Sequence, residues 1–359
     1  MSTQTQRTVG DELKWAVEAV GLAGRVCKWV QQHPMGVGRV EKGDGSPVTV
    51  GDFAAQAVVA RVLGERLGLG LAMVSEEDSA FLRAEAGGGT LLHVVEVLRQ
   101  SGVWADATGE GVIAAIDRGA GKSVPVATRA GERHGVFWTL DPIDGTKGFV
   151  RGQQFAVCLA KVVDAQPRVA AVACPNLCED AARGVEVVAD DPGIVVAAEE
   201  GSERGVWCVV PRSERSGEWG WSWVRRGMLK EGEVSRLVRS GERGHSDRAG
   251  MERIIEGMGR VKVDQEADGQ CKYAMVALGR ADVYLRVPPR TGYRENVWDH
   301  APGVMLVRRA GCVATDIRGR ELEFDGVKLQ RTNGIIAGEP GTHARALRAA
   351  TEQGIRGAD

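Results

Sequence analysis

Two aspartates three residues apart, Asp141 and Asp144, stand in the stretch W-T-L-D-P-I-D-G-T-K-G-F over residues 138–149. An apolar run leads into Asp141, and Pro142 fixes its own φ while biasing Asp141 toward extended backbone. Gly145 and Gly148 supply turn freedom. The pattern predicts a buried strand that ends in a tight loop, with two carboxylates close together at its mouth. Such carboxylates repel unless a cation lies between them, and hard ions such as Mg²⁺ prefer oxygen donors. Phosphate chemistry is the commonest setting for Mg²⁺ held by a few carboxylates. A bare D-x-x-D is more often an ordinary turn with two solvated acids. The rest of the chain has to supply the partners that decide between them.

Three further segments offer acids at element ends. In S-P-V-T-V-G-D (46–52), Thr49 and Asp52 have capping-box spacing for a helix over 53–67. Asp52 reads first as a cap and second as a carboxylate that orients a water. Residues 71–74 read as a strand running into S-E-E-D-S (75–79). Strand neighbours point to opposite faces, so Glu76 and Glu77 cannot both face inward. Residues 295–309 read as a helix with Asp299 and His300 in or near its first turn, the place where Pro302 is tolerated.

The elements that must position these acids can be read from periodicity. A helix is expected over 9–32, with Leu13, Ala16, Val17, Val20, Ala23 and Val26 on one face. Strands are expected over 155–163, 169–174, 193–197, 206–210, 282–287 and 334–337, and helices over 251–258, 273–278 and from about His343. A hairpin is expected over 312–324, turning at Arg318-Gly319. Residues 80–135 are weakly patterned and read as an insertion, with one helix over 91–100 and loops at 87–89 and 108–111. Trp219, Trp221 and Trp223 read as core or edge packing, because no basic run accompanies them. The first half alternates helices with acidic strand ends, and the second alternates strands and helices. This predicts an α+β domain over 1–163 followed by an α/β domain over 164–359.

Composition narrows the classes. The 359 residues are 43% hydrophobic and 26% charged, ordinary for a globular protein. A formal net charge of −2 gives no field that would recruit nucleic acid or a membrane. No apolar run approaches the ~20 residues of a membrane span. Residues 1–7 lack the apolar core of a secretory signal. A cytoplasmic location is expected, or an organelle if a transit peptide has been trimmed. Seven cysteines, an odd number mostly within apolar segments, predict reduced thiols. Cys174 and Cys178 lack the second Cys/His pair of a zinc set and read as packing.

Together these segments resemble the 3′(2′),5′-bisphosphate nucleotidases, in the inositol monophosphatase-like superfamily of Mg²⁺-dependent, lithium-sensitive phosphatases. The resemblance rests on S-P-V-T-V-G-D, S-E-E-D-S, the D-P-I-D-G-T stretch, R-G-Q-Q-F-A-V-C-L-A (151–160), C-P-N-L (174–177) and G-H-S-D (244–247). It continues in Q-C-K-Y-A (270–274), A-D-V-Y-L-R-V-P (281–288) and Y-R-E-N-V-W-D-H-A-P-G (293–303). The T-K-G-F-x-R-G-Q-Q extension points to the nucleotidase branch.

The resemblance implies a layered αβαβα sandwich and two or three Mg²⁺ ions. It implies metal ligands at Glu76, Asp141, Ile143 (through its carbonyl), Asp144 and Asp299, and a water-activating pair of Asp52 and Thr146. It implies substrate contacts at Gly145, Thr146, His245, Ser246, Lys272 and Arg286. Gly269 departs from the family, which commonly has serine there. The implied reaction is hydrolysis of adenosine 3′,5′-bisphosphate to AMP and phosphate by a monomer, with 3′-phosphoadenylyl sulfate as a second substrate. Hydrolysis of inositol 1,4-bisphosphate and a non-catalytic nucleotide sensor are the rival readings.

Overall fold

The computed structural model describes residues 8–33, 40–41, 47–84, 87–120, 127–129, 132–188, 190–201, 203–212, 218–230, 232–241, 246–288, 294–329 and 334–355. His245 lies outside the described residues. Helix α1 (Asp11–Gln32) buries the apolar face that its spacing predicts. After the short strands β1 (Val40–Glu41) and β2 (Pro47–Val48), helix α2 (Val50–Leu67) packs against α1. Strand β3 (Met73–Ser75) and helices α3 (Ala80–Arg83), α4 (Gly88–Gln100) and α5 (Gly109–Gly119) follow. Residues 80–120 are therefore not a loose insertion. Val94, Val97, Leu98, Val112 and Ile116 join the core around α2, which is apolar nearly all round because α4 and α5 cover its far side. Thr108, expected in a loop, is the N-cap of α5 and accepts from Gly111 N–H.

Strands β4 (Ala127–Arg129) and β5 (Glu132–His134) pair with each other. Next come β6 (Val136–Asp144), α6 (Thr146–Val150), β7 (Ala156–Val163), β8 (Gln166–Cys174), β9 (Ile194–Glu199), β10 (Val206–Pro211) and β11 (Trp219–Val224). They build a seven-stranded sheet in the order β11-β10-β9-β8-β7-β6-β3. The remaining strands are β12 (Ser235–Arg239), β13 (Val261–Glu266), β14 (Val283–Arg286), β15 (Val313–Thr315) and β16 (Ile335–Gly338). The remaining helices are α7 (Arg248–Met258), α8 (Cys271–Ala277), α9 (Ala301–Arg309) and α10 (Pro340–Glu352). The second sheet has the order β13-β12-β14-β16-β15.

The layers run α1/α2, first sheet, α8/α9, second sheet, α7/α10, with three core clusters, the middle one spanning both faces of α8/α9. This is the αβαβα sandwich. Helix α9 touches both sheets, and Tyr273 of α8 lies where a Cβ on Gly303 of α9 would come within 2.3 Å. The expected break at residue 163 falls inside the β7–β8 hairpin. The chain passes between sheets after Val224 and before Ser235. The hairpin expected over 312–324 does not form. Strand β15 pairs with β16, and Asp316 closes the intervening turn by accepting from the N–H groups of Arg318 and Arg320. Strands β12 and β13 escape a sequence reading because Arg236 and Arg239 in the one, and Lys262, Asp264 and Glu266 in the other, break up any apolar run. Among the described residues no helix is long and apolar enough to cross a membrane.

Candidate active site

The D-P-I-D stretch is not a loop after a strand but part of β6 itself. Asp141 pairs with Cys158 and Asp144 with Ala156, so three steps along β6 match two along β7. The extra residue is a β-bulge, where Pro142 is tolerated because the ladder is already interrupted. In a regular strand, residues three apart face opposite sides. Here Asp141 and Asp144 oppose Cys158 and Ala156, two residues apart, so both face the same way. That face is the one covered by α8 and α9, where Cys158 and Ala156 are buried. The bulge thus aims both carboxylates into the middle layer. Asp141 Oδ1 accepts from Ile143 N–H at 3.1 Å, and Thr146 Oγ1 donates to the Ile143 carbonyl at 3.0 Å. Gly145 takes φ +92°, which lets α6 start at once.

The other acids arrive from separate elements. Asp52 sits in the first turn of α2, where its Oδ2 accepts from Thr49 N–H at 2.8 Å and Thr49 Oγ1 at 2.6 Å. The capping box is present, and it holds the buried Asp52 carboxylate in one orientation. Beyond β3, Glu77 is buried and Glu76 half-buried. Gln56, one turn after Asp52, grips this corner. It accepts from Glu77 N–H at 3.0 Å and donates to the Glu77 carbonyl. Asp299 precedes α9, which begins at Ala301 and not near residue 295, and its Oδ2 accepts from Asn296 N–H at 3.0 Å. Residues 295–297 instead run beside 327–329 in an extended pairing.

Charge identifies these acids as one group. Burial raises Asp141 well above the ordinary carboxylate range, and Glu76, Asp144, Asp299 and Asp52 push it further. Burial likewise raises Asp299, with Glu295, Asp144 and Glu76 adding to it. Asp144 is raised by burial against the pull of Lys272, His300 and Arg286. Mutually repelling buried carboxylates, with no thiol or imidazole donor required, suit a hard divalent cation. Among the described residues no three His, Cys, Asp or Glu side chains already converge as ligands on one point. The fit rests on donor chemistry and charge.

The cations assigned to substrate are engaged within the fold. Lys272 is buried, donates to the carbonyls of Gly269 at 2.7 Å and Ala267 at 3.2 Å, and lies 5.3 Å from the Tyr284 ring centroid. Arg286 makes a bidentate pair with Glu295 at 2.6 and 2.9 Å. Ser246 is half-buried just before the N-cap Asp247 of α7. Glu295, which carried no signal of its own in the sequence, is 1% exposed. Burial opposes its ionisation, but Arg286 and His300 outweigh that and lower it to about 2. Tyr273 Oη and His300 Nδ1, 2.8 Å apart, complete this support. Gly269, at φ +60°, lies so close to Asp144 that a Cβ would fall 2.2 Å from the Asp144 carbonyl oxygen. Beside it, Asp268 pairs with Arg151 at 3.1 Å and lines a cavity of about 290 Å³ with Gln153, Gln154 and Val185.

The fold and this set of acids define a class, and comparison with known proteins agrees. The pattern of the inositol monophosphatase family matches residues 44–355. The chain is 33% identical over 338 residues to a Schizosaccharomyces pombe 3′(2′),5′-bisphosphate nucleotidase, covering 91% of this chain and 90% of the relative. It is 34% identical over 348 residues to one from Oryza sativa, covering 94% and 92%. Among solved structures, SuhB of Bartonella henselae superposes with a TM-score of 0.60 at 18% identity, covering 95% of this chain and 98% of that one. CysQ of Bacteroides thetaiotaomicron gives 0.57 at 18%, covering 92% and 97%. The chain belongs to the inositol monophosphatase family, and within it to the 3′(2′),5′-bisphosphate nucleotidases.

Proposed function

We propose that this protein is a Mg²⁺-dependent phosphomonoesterase that hydrolyses adenosine 3′,5′-bisphosphate to AMP and phosphate, with 3′-phosphoadenylyl sulfate as a further substrate. The observation that carries it is the bulge in β6, which turns Asp141 and Asp144 toward Asp299 in a chain one-third identical to curated nucleotidases. Glu76, Asp141, Asp144, Asp299 and the Ile143 carbonyl would hold two or three Mg²⁺ ions. Bound there, Mg²⁺ supplies a lowered water pKa and polarisation of the phosphoryl oxygens.

The chain's own groups do the rest. Asp52, held by its cap, and Thr146, held on the Ile143 carbonyl, orient the attacking water and take up its proton. The backbone N–H groups at Gly145 and Thr146 face the phosphate. Ser246 and His245 contact the nucleotide. Lys272 and Arg286 act on it through the turns they brace as well as through charge. The enzyme works as a monomer.

Release of phosphate from adenosine 3′,5′-bisphosphate, followed with and without Mg²⁺ and Li⁺, tests this reading. Turnover that requires Mg²⁺ and falls with Li⁺ is expected, with a higher kcat/KM than for inositol 1,4-bisphosphate. Release indifferent to Mg²⁺, or none, would refute it. Asp144→Ala should lower turnover by at least about a thousandfold, as loss of an electrostatic stabiliser does, with an unaltered far-UV circular dichroism spectrum.

A further inference from the structure

The two carboxylates at the centre of the site come from adjacent layers, Asp144 from β6 of the first sheet and Asp299 from the turn before α9 in the middle layer. Their separation depends on whatever joins those segments. One residue and its turn do so. Gln270, 1% exposed, donates from Nε2 to the Trp298 carbonyl at 2.8 Å, one residue before Asp299. Its Oε1 accepts from Gly303 N–H at 2.8 Å, in the first turn of α9. On the other side, Gln270 reaches Asp144 through the backbone of its turn. Its neighbour Gly269 abuts the Asp144 carbonyl, and Cys271 Sγ donates to the Phe155 carbonyl at 3.1 Å, on the chain entering β7. The segment carrying Gln270 is thus fixed on both sides.

We propose that Gln270 is a positioning residue that sets the Asp144–Asp299 spacing and thereby the affinity for the divalent cation. A primary amide suits the task. It offers two donors and an acceptor in one rigid plane, and it adds no charge to a cluster already crowded with carboxylates. With every partner buried, each bond left unmade is costly, so the amide has one stable orientation. Gln270 is not a catalytic residue, because it acts through the backbone on either side of Asp299 and through the turn that abuts the Asp144 carbonyl.

The inference rests on the metal reading above, and the test separates the two. Mg²⁺ binding is measured by isothermal titration calorimetry on the substrate-free protein, first wild type, then Gln270→Met and Gln270→Asn. No Mg²⁺ binding by wild type would strike the metal reading itself. With wild-type binding present, Gln270→Met is expected to weaken Mg²⁺ affinity about tenfold, as lost outer-shell partners of metal ligands do. Gln270→Asn should lie between. The Mg²⁺ concentration for half-maximal turnover should rise in step, while kcat and KM at saturating Mg²⁺ stay within about twofold of wild type, the range over which a positioning effect is recovered by mass action. A folded variant with unchanged Mg²⁺ affinity overturns the proposal. So does a loss of kcat that excess Mg²⁺ does not restore. Failure of both variants to fold overturns it too, by making Gln270 a folding residue only.

Discussion

Gly269 stands where the family resemblance leads one to expect serine, and the structure gives a geometric reason for glycine there. With φ at +60° and the Asp144 carbonyl where a Cβ would lie, a serine fits only if the two turns move apart. Gly269→Ser should destabilise the protein by about 1–3 kcal/mol in urea unfolding and weaken Mg²⁺ binding. The pH behaviour of the site belongs to the same scale. Asp141 and Asp299 are raised by burial and by each other's neighbours, so without metal they retain protons above the ordinary carboxylate range. A raised carboxylate favours folding below its unfolded pKa and loses that contribution as pH rises through the folded value. Mg²⁺ must displace those protons, so its affinity should rise with pH and binding should release protons into a weak buffer. Proton release at several pH values checks this. Glu295 has the opposite sign. Its pKa of about 2 means that its pairing with Arg286 supports the fold above about pH 4.3, the ordinary glutamate value, and is lost as pH falls toward 2. The individual acids were legible in the sequence because each sits at a segment end. Gln270 and Glu295 were not, since a buried amide and a carboxylate consumed by an arginine leave no local pattern.

At the scale of elements, strands with apolar runs and helices with a clean face were readable, and the exceptions have physical causes. The bulge in β6 could not be read from β6 alone, because register exists only between two strands. Helix α4 is legible from residue 91 on, whereas α5 escapes because Gly109 and Gly111 in its first turn are poor helix formers that read as loop. Strand β11 is the edge of the first sheet, and its Trp219 ring fills the space where a Cβ on Gly21 of α1 would lie 2.0 Å away. Gly21→Leu should therefore push α1 off the sheet and cost about 1–3 kcal/mol, readable as a lower melting temperature. Between the sheets, Asp282 is held by Arg226 at 2.7 Å, by Arg236 at 3.0 Å and by Arg236 N–H at 2.8 Å. Asp282→Ala would leave the fully buried Arg226 guanidinium uncompensated, and a loss of about 3–5 kcal/mol is expected in denaturant unfolding.

The whole molecule has two sheets but not two independent bodies. Helix α9 packs on both, and each sheet would expose a core face without the middle layer. Calorimetry should show one unfolding transition, moving upward with Mg²⁺, and by more at higher pH. The same burial encloses all seven thiols. Burial pushes those of Cys27 and Cys158 well above the ordinary range and those of Cys208 and Cys312 to about 11, and a hydrogen bond with Cys271 together with burial raises Cys174 likewise. Neither solvent access nor thiolate character favours their alkylation in the native state. They are distributed over α1, β7, β8, the turn after β8, β10, α8 and the approach to β15. The protein therefore carries its own opening reporter: the order in which cysteines become labelled by iodoacetamide would give the sequence in which its layers separate.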